Sequence, residues 1–278
     1  MKILITGASS YLGARLYFDL SKNFKVIGTY NSSKLSKDFI KLDITNESDV
    51  NEIINQEKPK IIIHAAANAS SKWCEANPQL AIKLNETSTK YVVESANKIR
   101  AKVIYISSFA AFKPTNLYAK TKYNSETFVK DTKAGWTILR PSLILGFSPN
   151  TINDRPFNRL LRNLDQGEPA EYDTSWRFQP TYIGHISEVI KEVIDNQITS
   201  EIIPIAASDL KSRFDTAKDI LAPFGIDVKP FDANDNSHSS KAEKLNKLEE
   251  LGLPTYNYEK IIEKIVNEIK NRKIYKLE

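Results

Sequence analysis

The sequence predicts a doubly wound α/β protein, a parallel sheet with helices on both faces, followed by a smaller lobe. Three observations carry the prediction. Apolar strand-like runs alternate with helical patterns through the first half of the 278 residues, an order that implies parallel strands with right-handed crossovers. The first strand ends in Thr6-Gly7-Ala8-Ser9-Ser10-Tyr11-Leu12-Gly13, a glycine-bracketed turn into a helix. About a hundred residues later, Tyr118 and Lys122 stand four apart in Tyr-Ala-Lys-Thr-Lys, and so share a helix face.

In chain order, Ile3–Thr6 reads as a strand and Ala14–Lys22 as a helix; Phe24–Tyr30 is the second strand and Phe39–Leu42 a short third. Asn46–Gln56 is helical, with Thr45 or Asn46 suited to cap it. Pro59-Lys60-Ile61-Ile62-Ile63 runs into Ala65-Ala66-Ala67 as a strand apolar enough to be buried on both faces. A long helical stretch, Pro78–Lys98, precedes the strand Lys102–Ser107, and the Tyr118–Lys130 helix precedes the strand Trp136–Arg140. After Pro141 the pattern loosens. Asn153–Gln166, Gly184–Asn196 and Ser212–Phe224 read as helices and Ile202–Ile205 as a strand. Gly167–Pro180 is an aromatic-rich loop, and two Lys/Glu-rich helices follow, split by Gly252-Leu253-Pro254. We expect residues 1–146 to bind a dinucleotide and 147–278 to form mainly a substrate lobe, with 180–197 returning to the first domain. Ligands of open α/β sheets bind at the carboxyl ends of the strands.

Composition narrows the function. A hydrophobic fraction of 41% with twelve Tyr and twelve Phe fits a globular chain. No apolar run reaches the roughly 18 residues of a membrane span, and Met1-Lys2-Ile3-Leu4-Ile5 enters a strand at once, without a signal-peptide pattern. The single cysteine, Cys74, fits a reducing compartment, so we expect a cytoplasmic protein with no membrane partner. The net charge of +5 favours phosphate-bearing ligands. Its lysines, among them Lys241, Lys244 and Lys247, are scattered as on a solvated helix face, so we expect no nucleic-acid partner. The oligomeric state stays open, a homodimer included.

Gly7 and Gly13 suit a tight turn and close helix packing, while Ser9, Ser10, Tyr11 and Leu12 lie where a helix N-terminus offers N–H groups to a pyrophosphate. The spacing is G-x-x-S-x-x-G, with Ser10 where a third glycine is usual, and an ordinary tight turn uses the same glycines. Asp43, followed by Ile44, lies at the third strand's end, where a carboxylate can accept from an adenine amino group or simply cap a turn. Ala65, Ala66 and Ala67 leave room for a ribose, or for close strand–helix packing. NAD-selecting sites place an acid about 20 residues beyond the glycines. Here Asn31, Ser32, Ser33 and Lys34 stand in that stretch with no acid, so NADP is favoured, with NAD the alternative.

A cation beside Tyr118 favours phenolate, so Lys122 is expected to lower its pKa toward neutral-pH acid–base work. Ser107 and Ser108 end the fifth strand on the same sheet edge, where a hydroxyl can orient the reacting oxygen. An exposed Tyr–Lys helix pair is the bland alternative. His64, His185 and His238 have no metal-like spacing with Cys74 or one another, so no metal is expected. No G-x-S-x-G elbow marks a hydrolase.

With these landmarks the chain resembles the extended short-chain dehydrogenase/reductase superfamily over nearly its whole length: Thr6–Gly13, Asp43, His64–Ala67, Asn85, Ser107-Ser108, Tyr118-x-x-x-Lys122 and Arg140-Pro141. It looks most like the dTDP-4-dehydrorhamnose reductase branch, through Leu42–Thr45, Cys74–Pro78 and Pro180–Ile183. The resemblance implies a Rossmann-type domain with Tyr118 as proton donor, Lys122 on the nicotinamide ribose, Ser108 orienting the carbonyl and Asn85 supporting a water relay to Lys122. It also implies Ser107 beside the cofactor and Pro141 to Leu143 behind the nicotinamide. The activity implied is NADPH-dependent reduction of a nucleotide-linked 4-keto sugar. Phe147, Trp176, Arg177 and Phe178 are candidates to line the nucleotide-sugar pocket, although the aromatics can equally pack the lobe. Two departures stand out. The loop from Ser108 to Tyr118 is shorter than in the branch, and His185 stands where the branch often has an acid. The rival activities are a nucleotide-sugar epimerase or dehydratase and a non-enzymatic NADP-binding regulatory subunit.

Overall fold

The computed structural model describes residues 1–235 and 245–277. His238, Lys241 and Lys244 fall outside the described residues. The first half runs β1 (Lys2–Thr6), α1 (Tyr11–Leu20), β2 (Lys25–Tyr30), β3 (Ile40–Lys41), α2 (Glu47–Glu57) and β4 (Ile61–His64). Then come α3 (Ser71–Ala76), α4 (Pro78–Ile82), α5 (Ser88–Ile99), β5 (Lys102–Ile106), α6 (Leu117–Lys130) and β6 (Trp136–Pro141). The later half is β7 (Ile144–Leu145), α7 (Pro156–Gln166), β8 (Glu171–Asp173), β9 (Arg177–Phe178), β10 (Thr181–Tyr182), α8 (Ile183–Asp195) and β11 (Glu201–Ile205). It ends with β12 (Lys211–Ser212), α9 (Arg213–Leu221), β13 (Lys229–Phe231), α10 (Lys247–Glu250) and α11 (Tyr258–Lys270).

Seven strands form one sheet in the order β11-β6-β5-β4-β1-β2-β3, every pairing parallel. The strand period of two sorts its side chains into two cores. Ile3, Ile5, Ile61, Ile63, Ile104 and Leu139 join the cluster containing Leu16 and Leu20 of α1 and Ile186, Val189, Ile190 and Val193 of α8. Leu4, Ile62, Val103, Tyr105 and Ile138 join Val50 and Ile54 of α2, Val92, Val93 and Ala96 of α5, and Val129 of α6. Both faces are covered, which is why the central strands read as unbroken apolar runs. Strand order reverses between β1 and β4, a switch point whose carboxyl end is the expected ligand crevice.

The later half does not stay apart. β11 lies beside β6 at the sheet's edge, so the strand read near Ile202 belongs to the main sheet. α8 packs against α1, while β7 with β10, β8 with β13, and β9 with β12 form small pairs outside the sheet. A buried Arg15–Glu268 pair at 2.6 Å ties α11 to α1. The helix expected over Pro78–Lys98 is interrupted: Lys83–Thr87 forms a π turn between α4 and α5. Apolar periodicity does not register one extra residue in a turn, and such turns recur at functional sites.

Candidate active site

The switch point is closely built. Gly7 has φ +70°, and a Cβ there would stand 2.8 Å from Ala66 Cα. A Cβ on Gly13 would stand 2.1 Å from the Gly7 carbonyl oxygen. Both positions therefore exclude any side chain, and α1 begins directly over the end of β1. Ser10 caps α1, its Oγ accepting from Gly13 N at 3.0 Å, so hydroxyl capping stands in for the third glycine. The side chains of Tyr11 and Leu12 are buried, and what they offer a ligand is the first-turn N–H groups. Ser9 Oγ accepts from Leu35 N at 3.3 Å, and Asn150 Nδ2 donates to Ser9 O at 2.6 Å. These bonds hold the segment after β2 and the loop before α7 against the turn.

Asn31, Ser32, Ser33 and Lys34 are exposed beside that turn, with Lys34 Nζ 5.7 Å from the Tyr30 ring centre. Asp43 uses Oδ1 in a turn, accepting from Thr45 N at 2.9 Å and Thr45 Oγ1 at 2.8 Å. Ile44 was expected at the cofactor, but its side chain is buried in the α2 core, leaving only its backbone for a ligand. Ala65, Ala66 and Ala67 are half-buried at the end of β4. Beneath them a polar chain runs inward. Thr6 Oγ1 meets His64 Nδ1 at 2.7 Å, His64 Nε2 meets Thr89 Oγ1 at 3.1 Å, and Thr89 Oγ1 donates to Asn85 O at 3.1 Å. Burial brings the His64 pKa down to about 3, helped by the charge of Lys122, so this imidazole is neutral.

Next to the crevice, α6 lies along the end of β5. The Tyr118 phenol stands close enough to the Ser108 hydroxyl for that hydroxyl to favour phenolate. One turn on, Lys122 Nζ donates to Ile106 O at 2.6 Å and sits 4.1 Å from the Tyr105 ring centre. Another turn on, Glu126 Oε1 accepts from Ser107 Oγ at 2.5 Å, and Arg140 of β6 forks onto Glu126 at 2.8 and 2.6 Å. The expected lowering of the Tyr118 pKa by Lys122 is corrected here. Burial raises the Tyr118 pKa, only partly offset by the nearby Ser108 hydroxyl and the charge of Arg155. The Lys122 ammonium is turned onto the Ile106 carbonyl, and burial brings its own pKa down to about 7. Tyr118 is thus a protonated phenol at neutral pH, which suits a proton donor.

Other expected residues are held by contacts the sequence does not show. Asn85 lies in the π turn, but its side chain is bonded to the backbone of Asn68, accepting from its N at 2.8 Å and donating to its O at 2.9 Å. It pins the strand-to-helix connection and reaches Thr121 Oγ1 of α6 at 3.5 Å. Ser107 is committed to Glu126, while the Ser108 hydroxyl accepts from Ala110 N at 3.2 Å. Phe147 is buried, packs on Tyr275, and its N and O bond to Glu268 and Arg15. Phe178 is fully buried, stacked on Trp176 at 5.2 Å, and Arg213 lies 5.1 Å from the Trp176 ring centre. That stack is lobe packing for Phe178, while Trp176 stays half-buried and Arg177 exposed. Pro141 ends β6, and Leu143 O accepts from Thr181 N at 3.0 Å. His185 Nε2 meets Pro254 O at 2.6 Å.

Sequence reasoning missed Glu126 and Arg155. Glu126 extends the Tyr118–Lys122 spacing by four more residues, a signal present in the sequence. Arg155 precedes α7, and its charge bears on both Tyr11 and Tyr118; nothing in the local pattern marks it. Among the described residues, no cluster of His, Cys, Asp and Glu could hold a metal ion, and no helix is long and apolar enough to cross a membrane.

Known proteins carry the same architecture. A dTDP-4-dehydrorhamnose reductase from Aggregatibacter actinomycetemcomitans is 30% identical over 217 residues, 73% of this chain and 70% of that one. The methionine adenosyltransferase 2 subunit beta of Xenopus laevis is 27% identical over 212 residues, 71% of this chain. The match spans only 63% of that subunit's length. The crystal structure of dTDP-4-dehydrorhamnose reductase from Bacillus anthracis in complex with NADP superposes with a TM-score of 0.80 at 24% identity, covering 96% of this chain and 99% of that one. That likeness shows the fold. The model of the RmlD substrate binding domain family matches residues 1–270. A Rossmann-type sheet with its switch point at Gly7 and Ala66, matched by this model along nearly the whole chain, places the protein in the RmlD substrate binding domain family of the extended short-chain dehydrogenase/reductases.

Proposed function

We propose that the chain is an NADPH-dependent reductase of a nucleotide-linked 4-keto sugar. One observation carries the reading: α6 brings Tyr118 near Ser108, with Lys122 one turn away, beside a strand-turn-helix that has no room for a side chain at Gly7 or Gly13. The residues fit a dinucleotide. The turn of Ser9–Gly13 would hold the pyrophosphate, Ser32, Ser33 and Lys34 a 2′-phosphate, and Lys122 the nicotinamide ribose. The names of the reductase relative and of the NADP-bound structure support this choice.

When bound, the reduced nicotinamide supplies the hydride for the keto carbon. The chain's part is the proton and its placement. Ser108 Oγ donates a hydrogen bond to the keto oxygen, and Tyr118 transfers its phenolic proton to that oxygen as the alcohol forms. The positive charge of Arg155, which already favours ionised Tyr118, steadies the phenolate left behind. General acid catalysis of this kind contributes about 10²–10⁴-fold.

A second reading, a non-enzymatic NADP-binding subunit, is favoured by the shortened Ser108–Tyr118 connection, whose Phe112 lies 4.3 Å from Arg140 across the sheet edge. The matches to methionine adenosyltransferase 2 subunit beta also favour it. Incubating the protein with NADPH and a panel of dTDP-, UDP- and GDP-linked 4-keto sugars separates the two. Turnover with any of them, followed by loss of NADPH absorbance, supports the reductase. NADPH binding without turnover across the panel supports the subunit.

A further inference from the structure

The face of α6 that carries Tyr118 carries two more residues in the same register, and each meets a neighbouring residue at the end of β5. Tyr118 lies near Ser108, Lys122 donates to the Ile106 carbonyl at 2.6 Å, and Glu126 accepts from Ser107 at 2.5 Å. Two successive turns of one helix thus bond two consecutive residues of one strand end, with Tyr118 on the turn before them. Glu126 is 2% exposed, and all its contacts here are donors: the Ser107 hydroxyl and the two-pronged Arg140 guanidinium. A buried ion pair replaceable by apolar packing is weak evidence for stability alone. Here, however, the carboxylate stands one turn from a buried lysine that has no carboxylate of its own within ion-pair distance among the described residues.

We propose that Glu126 is a positioning residue of this centre: it registers Ser108 through Ser107 and holds the charge of Lys122. The proposal rests on the reductase reading for its consequence in catalysis, but not for its geometry. Tyr105 on β5 lies beneath Lys122 Nζ, neutral His64 on β4 is stacked against Tyr105, and Glu126, paired with Arg140 of β6, stands one turn on along the same helix. Glu126 is the only carboxylate among them. Burial works against the ammonium and Glu126 works for it, so removing the carboxylate charge lowers the pKa of Lys122. The pH above which the ammonium is lost then moves down.

The test is the titration of Lys122 in the free protein, followed by NMR of ¹³C-labelled lysine side chains, its signal identified by its loss in Lys122→Arg. Glu126→Gln keeps the shape and a hydrogen-bonding oxygen; Glu126→Gln with Arg140→Gln also leaves no charge unpaired. The Lys122 midpoint is expected to fall by about one pH unit or more in Glu126→Gln, the scale set by one nearby opposite charge, and by less in the double variant, where the repulsion of Arg140 is lost as well. An unchanged midpoint in folded Glu126→Gln overturns the proposal. If the single variant does not fold, a double-variant midpoint that does not fall overturns it. A parallel NADPH titration by fluorescence should show the alkaline loss of affinity moving down with the lysine. Wild-type protein that binds no NADPH would overturn the cofactor reading and leave the lysine titration to judge Glu126.

Discussion

Glu268 joins the chain's last long helix to its first, and Glu268→Gln tests what that joint is worth. The carboxylate is buried and takes Arg15 Nη2 at 2.6 Å, the Tyr182 hydroxyl at 2.5 Å, the Tyr275 hydroxyl at 3.1 Å and Phe147 N at 2.9 Å. Removing one charge of a buried pair strands the other and costs about 3–5 kcal/mol. Arg15 is not wholly stranded, because Asp19 stays 2.6 Å from its Nε and Phe147 O 2.7 Å from Nη1. The lower end therefore applies, about 3 kcal/mol. At about 2–4 °C per kcal/mol for a chain of this size, Tm should fall by about 6–12 °C. Thermal denaturation by circular dichroism at pH 7 measures it. The double change Arg15→Met with Glu268→Leu, which leaves no buried charge unpaired, should recover most of the loss. A fall of under about 2 °C in Glu268→Gln, below what one kcal/mol would give, refutes the reasoning.

Other expectations follow from single features. Lys34→Ala should weaken NADPH binding about tenfold, the lower end for a hydrogen bond to a charged group because the site is exposed. NADH affinity should not change; equal losses for both cofactors would count against the 2′-phosphate assignment. Gly13→Ala forces its Cβ onto the Gly7 carbonyl at 2.1 Å, so the turn must open. NADPH binding measured by fluorescence should fall more than tenfold, and unaltered binding would show that the turn does not hold the cofactor. The pKa of His64 is brought from 6.5 to about 3 in the fold. The unfolded chain therefore takes up a proton as pH falls below about 6.5 while the folded one does not, and stability drops by up to about 1.4 kcal/mol per pH unit across that window. His185, lowered to about 4 by burial, adds a second contribution. Urea unfolding at pH 7 and pH 4.5 should show a smaller acid loss in His64→Gln, and an identical loss would contradict the buried neutral imidazole.

Much of this molecule is legible in its sequence because the strands obey a simple rule. Ile3, Leu4 and Ile5 alternate between two cores, and a strand covered on both faces must be apolar throughout, which Ile61–Ile63 displays openly. The glycine turn and the Tyr118–Lys122 spacing are local patterns, so they too survive in one dimension. What the sequence concealed was long-range. Phe147 looks like a pocket aromatic until Glu268, 121 residues away, is seen bonded to its backbone. Asn85 looks like a helix-face polar residue, yet a π turn and the Asn68 backbone determine what it touches. The direction of the Tyr118 shift was misjudged for a related reason. Spacing places Lys122 on the same face, but only the fold shows that its ammonium turns to Ile106 and that burial dominates the phenol. The later lobe was hardest, since its short strand pairs join segments far apart in the chain.

The most direct measurement is turnover of a nucleotide-linked 4-keto sugar with NADPH by wild-type protein and by Tyr118→Phe. The ring, the helix and the NADPH affinity should survive the loss of one hydroxyl, while the proton donor is gone. Turnover should therefore fall by about 10²–10⁴-fold with the cofactor dissociation constant nearly unchanged. Wild-type reduction of the sugar that persists undiminished in Tyr118→Phe would contradict the assignment of the acid. A wild type that binds NADPH and reduces none of the sugars would contradict the reductase itself.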